Sequence, residues 1–188
     1  MGLNTLNDVE KYFLDRINEL ENQCREHTTW VFLCAAAMIN YLVNLVNGRE
    51  TNRNDYKDFI INYMPEKYGD FEYLGGSKDL DSQMYHTLRC GMVHCFSLFP
   101  DSRGIGQGAR VRSIALSHKE NKDGNHLDNY KGGNNNLDSA LFIAENFIDD
   151  IKYAVKKIFS NAKNDTNLEQ KVISWINKYP PIMGEVLW

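Results

Sequence analysis

Apolar positions recur at helical spacing through most of the chain. Val9, Phe13, Ile17 and Leu20 form one stripe, with Asn7 or Asp8 placed to cap it, so a first helix is predicted to run to about Glu26. A second is predicted from Trp30 to Asn47, capped by Thr28 or Thr29 and ended by Gly48. It is apolar nearly all round and therefore belongs at the centre of the fold. Asn40 and Asn44 interrupt it and it falls short of a bilayer span, which favours a buried core helix. A third helix covers Asp55 to Met64 and stops at Pro65, and Glu66 to Ser77 reads as a loop.

A fourth helix is predicted from about Asp79 to Phe99, ended by Pro100. Beyond the glycine-rich Arg103 to Gly108, the stretch Ala109 to Ser117 alternates and predicts a strand. The polar segment Lys119 to Asn136 is a long loop or the turn of a hairpin. Asn134 to Asn136 then cap a fifth helix over Leu137 to Ser160, whose Asp149 and Asp150 are expected on a solvated face. A last helix spans Asn167 to Tyr179 before Pro180 and Pro181. No repeat and no second composition regime appears. The expectation is one mainly α domain over 1–188, a bundle of roughly five to six helices, with 109–136 as a hairpin or loop insertion.

Composition refines this picture. At 188 residues the chain can bury a full core, and 43% hydrophobic with 24% charged residues is an ordinary globular balance. The net charge of -4 does not attract nucleic acid, so any RNA contact needs a local basic patch. Cys24, Cys34, Cys90 and Cys95 all fall in predicted helices and read as reduced thiols, not a secreted disulfide framework. Leu3 to Glu26 is charged and amphipathic, unlike a secretory leader. These features lead to the expectation of a cytoplasmic protein with no membrane partner.

The fourth helix carries the candidate chemistry. At about 100° per residue, Met84, Tyr85, Leu88, Met92, Cys95, Phe96 and Phe99 group on a core face. Arg89, Val93, His86, Ser97, Cys90 and His94 lie opposite, with Arg89 and His94 about 140° apart. Small residues between a guanidinium and an imidazole suit close approach of a second helix, such as one from a second copy of the chain.

The segment Arg89-Cys90-Gly91-Met92-Val93-His94, mid-helix in a helical protein, resembles the Arg-x4-6-His motif of HEPN ribonucleases. The helix order agrees over roughly the first half of the chain. The resemblance implies a homodimer that cleaves RNA without a metal or other cofactor, through 2′-hydroxyl attack that leaves a 2′,3′-cyclic phosphate. His94 would move protons, and Arg89 would hold the phosphate and stabilise charge on its oxygens. His86, Cys90, Ser97, Arg103, Arg110 and Arg112 would bind RNA or support the site. His86 to His118 holds four arginines against one acid, a local positive excess fit for phosphates. The family context implied is a toxin or phage-defence effector with a neutralising antitoxin partner. One departure is Cys90, where active members often carry Asn, Asp or His. It points to an alternative, a catalytically inactive HEPN-like module for dimerisation or nucleotide or RNA binding.

Two other patterns carry less. His86, Cys90 and His94 share a stripe and would need a further ligand such as Cys24, His118 or His126 to hold zinc, and no finger-like spacing supplies one. Gly104 to Gly108 follows a helix, not a strand, and so reads as a flexible turn instead of a dinucleotide loop.

Overall fold

A computed structural model describes residues 5–69, 84–94, 113–121, 124–130 and 139–181. Within them the fold is mainly α. Helix α1 (Leu6–Glu21) buries Val9, Phe13 and Ile17, the stripe the periodicity predicts. Its cap is Thr5, not Asn7 or Asp8. Thr5 Oγ1 accepts from the Asp8 amide at 3.2 Å, and the Asp8 carboxylate accepts from the Thr5 amide at 3.1 Å. Asp8 is thus the reciprocal half of a capping box. The helix ends before Glu26, and Cys24 lies in the turn that follows it.

Helix α2 (Thr28–Asn47) starts from His27 without a side-chain cap. Thr28, expected to cap it, instead donates its hydroxyl to the Cys24 carbonyl at 2.7 Å. Against the expectation that it falls short of a bilayer span, the observed 20-residue helix is long and apolar enough to cross one by length and composition alone. In the fold it is the central element, packed on every other described helix and on the first strand. Gly48 closes it with φ 66°. A Cβ there would meet Lys171 Cγ at 3.1 Å as well as the left-handed backbone. Gly48→Ala is therefore expected to cost about 1–2 kcal/mol, read as a lower urea midpoint with an unchanged slope.

Helix α3 (Arg53–Tyr63) is capped by Asn52 and Asp55 in a second capping box. The segment Tyr85–His94 is a π-helix. Three short strands follow: β1 (Ser113–Ser117), β2 (Asn129–Tyr130) and β3 (Ser139–Ile143). Their order is β1-β3-β2, with β1 parallel and β2 antiparallel to β3. Helices α4 (Ala144–Ala162) and α5 (Thr166–Lys178, capped by Asp165) complete the fold.

The sheet corrects two expectations. The helix expected from Leu137 begins at Ala144, because Ser139–Ile143 is the middle strand. Ala140, Leu141, Phe142 and Ile143 are all buried, a continuous apolar run that suits a strand paired on both edges better than one stripe of a helix. The expected strand is present at Ser113–Ser117, but its partner is the distant β3, so no simple β1–β2 hairpin forms. The glycine-rich Arg103 to Gly108 and the expected caps Asn134 to Asn136 lie outside the described residues.

The core runs along α2 and α4. Phe147 is fully buried and stacks on Phe32 at 5.4 Å between ring centroids, with Phe142 edge-on at 5.3 Å. Phe13, Tyr41 and Phe159 extend this aromatic column beneath α1.

Candidate functional site

The motif arginine sits where the π-helix meets α2 and α3. Arg89 is half-buried. Its Nε donates to Asn40 Oδ1 of α2 at 3.3 Å, and Nη1 donates to the Tyr85 hydroxyl at 3.2 Å. The guanidinium also lies 5.2 Å from the centre of the Tyr85 ring. Among the described residues both hydrogen-bond partners are neutral oxygens, and no carboxylate neutralises the charge.

Tyr85 organises the surroundings. Its ring packs edge-on to Tyr56 at 5.7 Å, which ties the π-helix to α3. Burial raises the phenol above its ordinary range. Arg89 opposes this, the Cys90 thiol hydrogen-bonded to the phenol reinforces it, and Arg53 at the start of α3 opposes it again. Arg53 thus brings a second positive charge to the same junction, a residue the motif could not have indicated.

The π geometry changes the expected faces. In an α-helix positions 89 and 94 diverge by about 140°. In a π-helix the hydrogen bond runs from i to i+5, so position 94 comes above position 89 along one side of the helix. His86 faces inward: it is only 3% exposed, with Thr87 and Leu88 fully buried beside it, so this part of the helix is packed on more than one side. The expectation of His86 on the open face is therefore corrected. Cys90 is half-buried next to Arg89. Ser97, Arg103, Arg110 and Arg112 lie outside the described residues. Among the described residues no group of three His, Cys, Asp or Glu side chains is arranged to hold a metal ion. Burial pushes the Cys24 thiol up to about 11, with Glu145 and Glu21 adding to the effect, which suits a packing role.

A second polar cluster lies under the sheet. Asp150 of α4, expected in water beside the exposed Asp149, is only 8% exposed. Its Oδ2 accepts from Lys67 Nζ at 2.6 Å and from the Tyr68 hydroxyl at 2.9 Å. His126 Nε2 lies 2.8 Å from that hydroxyl and 3.4 Å from Asp150 Oδ2. Burial raises the Asp150 carboxyl, but hydrogen bonds from His126, Lys67 and Tyr68 outweigh it and hold the group below the usual carboxylate range. A signal for this burial was present in the sequence. Asp150 follows Phe147 by three residues and precedes Ala154 by four, which puts it on the apolar stripe of α4.

Comparison with known proteins adds no relative: no family model, curated protein or solved structure matches the chain. The likeness to HEPN ribonucleases rests on the residues alone.

Proposed function

We propose that the chain is a metal-independent endoribonuclease of the HEPN type, working as a homodimer on RNA. The observation that carries this reading is Arg89, a half-buried guanidinium held by neutral partners. It stands five positions before His94 on a helix whose repeat aligns those positions. A phosphate would pair with that positive charge, gripped by the guanidinium fork. Asn40 and Tyr85 fix the angle of that fork.

In this reaction the RNA 2′-oxygen bonds to the adjacent phosphorus and the bond from phosphorus to the 5′-oxygen breaks. The 2′-hydroxyl proton passes to a base, and an acid returns a proton to the departing 5′-oxygen. The products are a 2′,3′-cyclic phosphate and a 5′-hydroxyl. An imidazole suits either proton role near neutrality, and His94 is the candidate. Arg89 would stabilise the charge that builds on the phosphoryl oxygens. The toxin or phage-defence setting, an antitoxin partner and a cytoplasmic location belong to the same proposal.

Cys90 favours a second reading, an inactive HEPN-like module that binds nucleotide or RNA. Its thiol is engaged with Tyr85, where a more polar residue would serve a phosphate better. Incubating a labelled structured RNA in excess chelator with the parent chain and His94→Ala separates the two. Cleavage by the parent alone, ending in a cyclic phosphate, is the expected result. Two inert but folded dimers would favour the binding module. Equal cleavage by both would remove His94 from the site.

A further inference from the structure

We propose that His126 is an acid-sensitive latch that clamps the 124–130 segment onto β3 and α4 while its ring is neutral and releases it on protonation. This device stands apart from the nuclease reading.

Three observations carry it. The first is the direction of the hydrogen bonds at the ring. The Ile143 amide, at the end of β3, donates to His126 Nδ1 at 2.9 Å. That bond needs a bare Nδ1, so the ring is neutral and its proton sits on Nε2. Nε2 faces the Tyr68 hydroxyl, which in turn donates to Asp150. An imidazolium would carry a proton on Nδ1 as well, and two donors would then meet at the Ile143 amide.

The second is the enclosure. The His126 side chain is 4% exposed. The rings of Tyr68, Phe142 and Phe147 surround it, with centroids at 5.9, 5.2 and 6.4 Å. Among the described residues, the titratable and charged groups facing it are Lys67 and Tyr68 from the helical segment 67–69 after α3, and Asp150 from α4. β3 contributes Phe142 and the Ile143 amide. Asp128, on the latch segment itself, is occupied by Asn125. Asp150 would favour an imidazolium, but Lys67 and Tyr68 both bond it more closely than His126 does. Burial lowers the affinity of the ring for a proton first; Asp150 opposes and Lys67 reinforces, and the balance lies below the ordinary value of 6.5.

The third is stored strain. Leu127, the next residue, has φ 71°, a left-handed backbone that a leucine rarely adopts. It is held there by its amide donating to the Leu141 carbonyl at 2.6 Å, and by the Leu141 amide donating to the Asp128 carbonyl at 2.9 Å. Releasing His126 lets Leu127 relax, so the closed and open segment are two distinct arrangements.

The sign follows from the ring. Its closed-state value is depressed, so the open segment takes up the proton first as the pH falls. The closed state keeps its full advantage above about pH 6.5 and loses it progressively as the pH falls from there toward the depressed value. One coupled proton gives a loss of up to about tenfold in the closing equilibrium per pH unit in that window.

Amide hydrogen exchange on the full chain tests this, corrected for the intrinsic pH dependence of exchange. Between pH 7.5 and 5.5 the Leu127, Leu141 and Ile143 amides should lose protection, by up to about tenfold, while α2 amides such as Leu42 stay unchanged. In His126→Gln, whose amide oxygen accepts from Ile143 but does not titrate, the loss should vanish. Unchanged protection in the parent, loss shared equally with α2, or a pH dependence that survives in His126→Gln would each overturn the latch. If that variant does not fold, ring nitrogen shifts in the parent decide. Nδ1 protonation only below pH 6.5, in step with loss of Ile143 protection, supports the proposal. Protonation at or above 6.5 with Ile143 still protected overturns it.

Discussion

On the proposed nuclease reading, RNA cleavage by Arg89→Met is expected to fall about 100- to 1,000-fold, while the unfolding free energy stays within about 1 kcal/mol of the parent. The two halves of this expectation have separate causes. A donor aimed at charge developing in a transition state is worth about 3–4 kcal/mol in a water-poor site. In the resting protein the same guanidinium is half-buried and, among the described residues, hydrogen-bonded to Asn40 and Tyr85, both neutral. Methionine keeps the packing volume and removes a charge that no described carboxylate offsets. Asn40 and Tyr85 lose one partner each, at a half-buried place where water can replace it. Single-turnover cleavage and a thermal melt on the same preparation read both quantities. A variant destabilised by more than about 3 kcal/mol would make Arg89 a structural residue, since losses that large come from breaking a buried network. Unchanged cleavage would remove it from the site.

Phe147→Ala should lose about 3–5 kcal/mol of stability, the range for emptying a fully buried aromatic position. Phe147 is the meeting point of the aromatic cluster: Phe32 of α2 stacks on it, Phe142 of β3 meets its face edge-on, and Tyr68 and His126 lie at 6.4 Å. Truncation would open a cavity between α2, α4 and the sheet and loosen the walls around His126. At about 2–4 °C per kcal/mol for a chain this long, the melting midpoint should drop by about 6–20 °C. Urea unfolding provides an independent check through the midpoint at constant slope. A loss under about 1.5 kcal/mol would mean that the neighbours collapse into the space and that the cluster is not a rigid core.

Helix periodicity carried most of the fold. The stripe Val9, Phe13, Ile17 was readable because a helix buried on one face repeats its apolar positions every three or four residues. Helix α2 was readable because nearly every position is apolar, and Gly48 because a left-handed cap favours glycine. The caps were less legible. Thr5, Asn52 and Asp165 each stand beside other polar residues able to do the same work, and only backbone geometry chooses among them.

The sheet was hidden for a different reason. Ser-Ala-Leu-Phe-Ile has no alternation, and its strand state depends on β1, which pairs with it from more than twenty residues earlier. Of the candidate site, the identity and spacing of Arg89 and His94 were legible, because the chemistry needs those residue types. Their register was not, since a wheel drawn for an α-helix misplaces positions on a π-helix.

The sequence by itself determined a mainly α domain, a central apolar helix and an arginine five residues before a histidine, because each is encoded by neighbours along the chain. Tertiary structure decided what Arg89 bonds to and which way His86 faces. It also decided that Tyr68, His126 and Asp150 form one buried network, with the exposed Lys67 closing it from the rim. Tyr68 and Asp150 are 82 positions apart and meet only when the helical segment 67–69 after α3 folds against α4. Each group alone is costly to bury, and only their mutual hydrogen bonds make the burial favourable. No local pattern encodes such a pairing, because the stabilisation exists only once the core has closed.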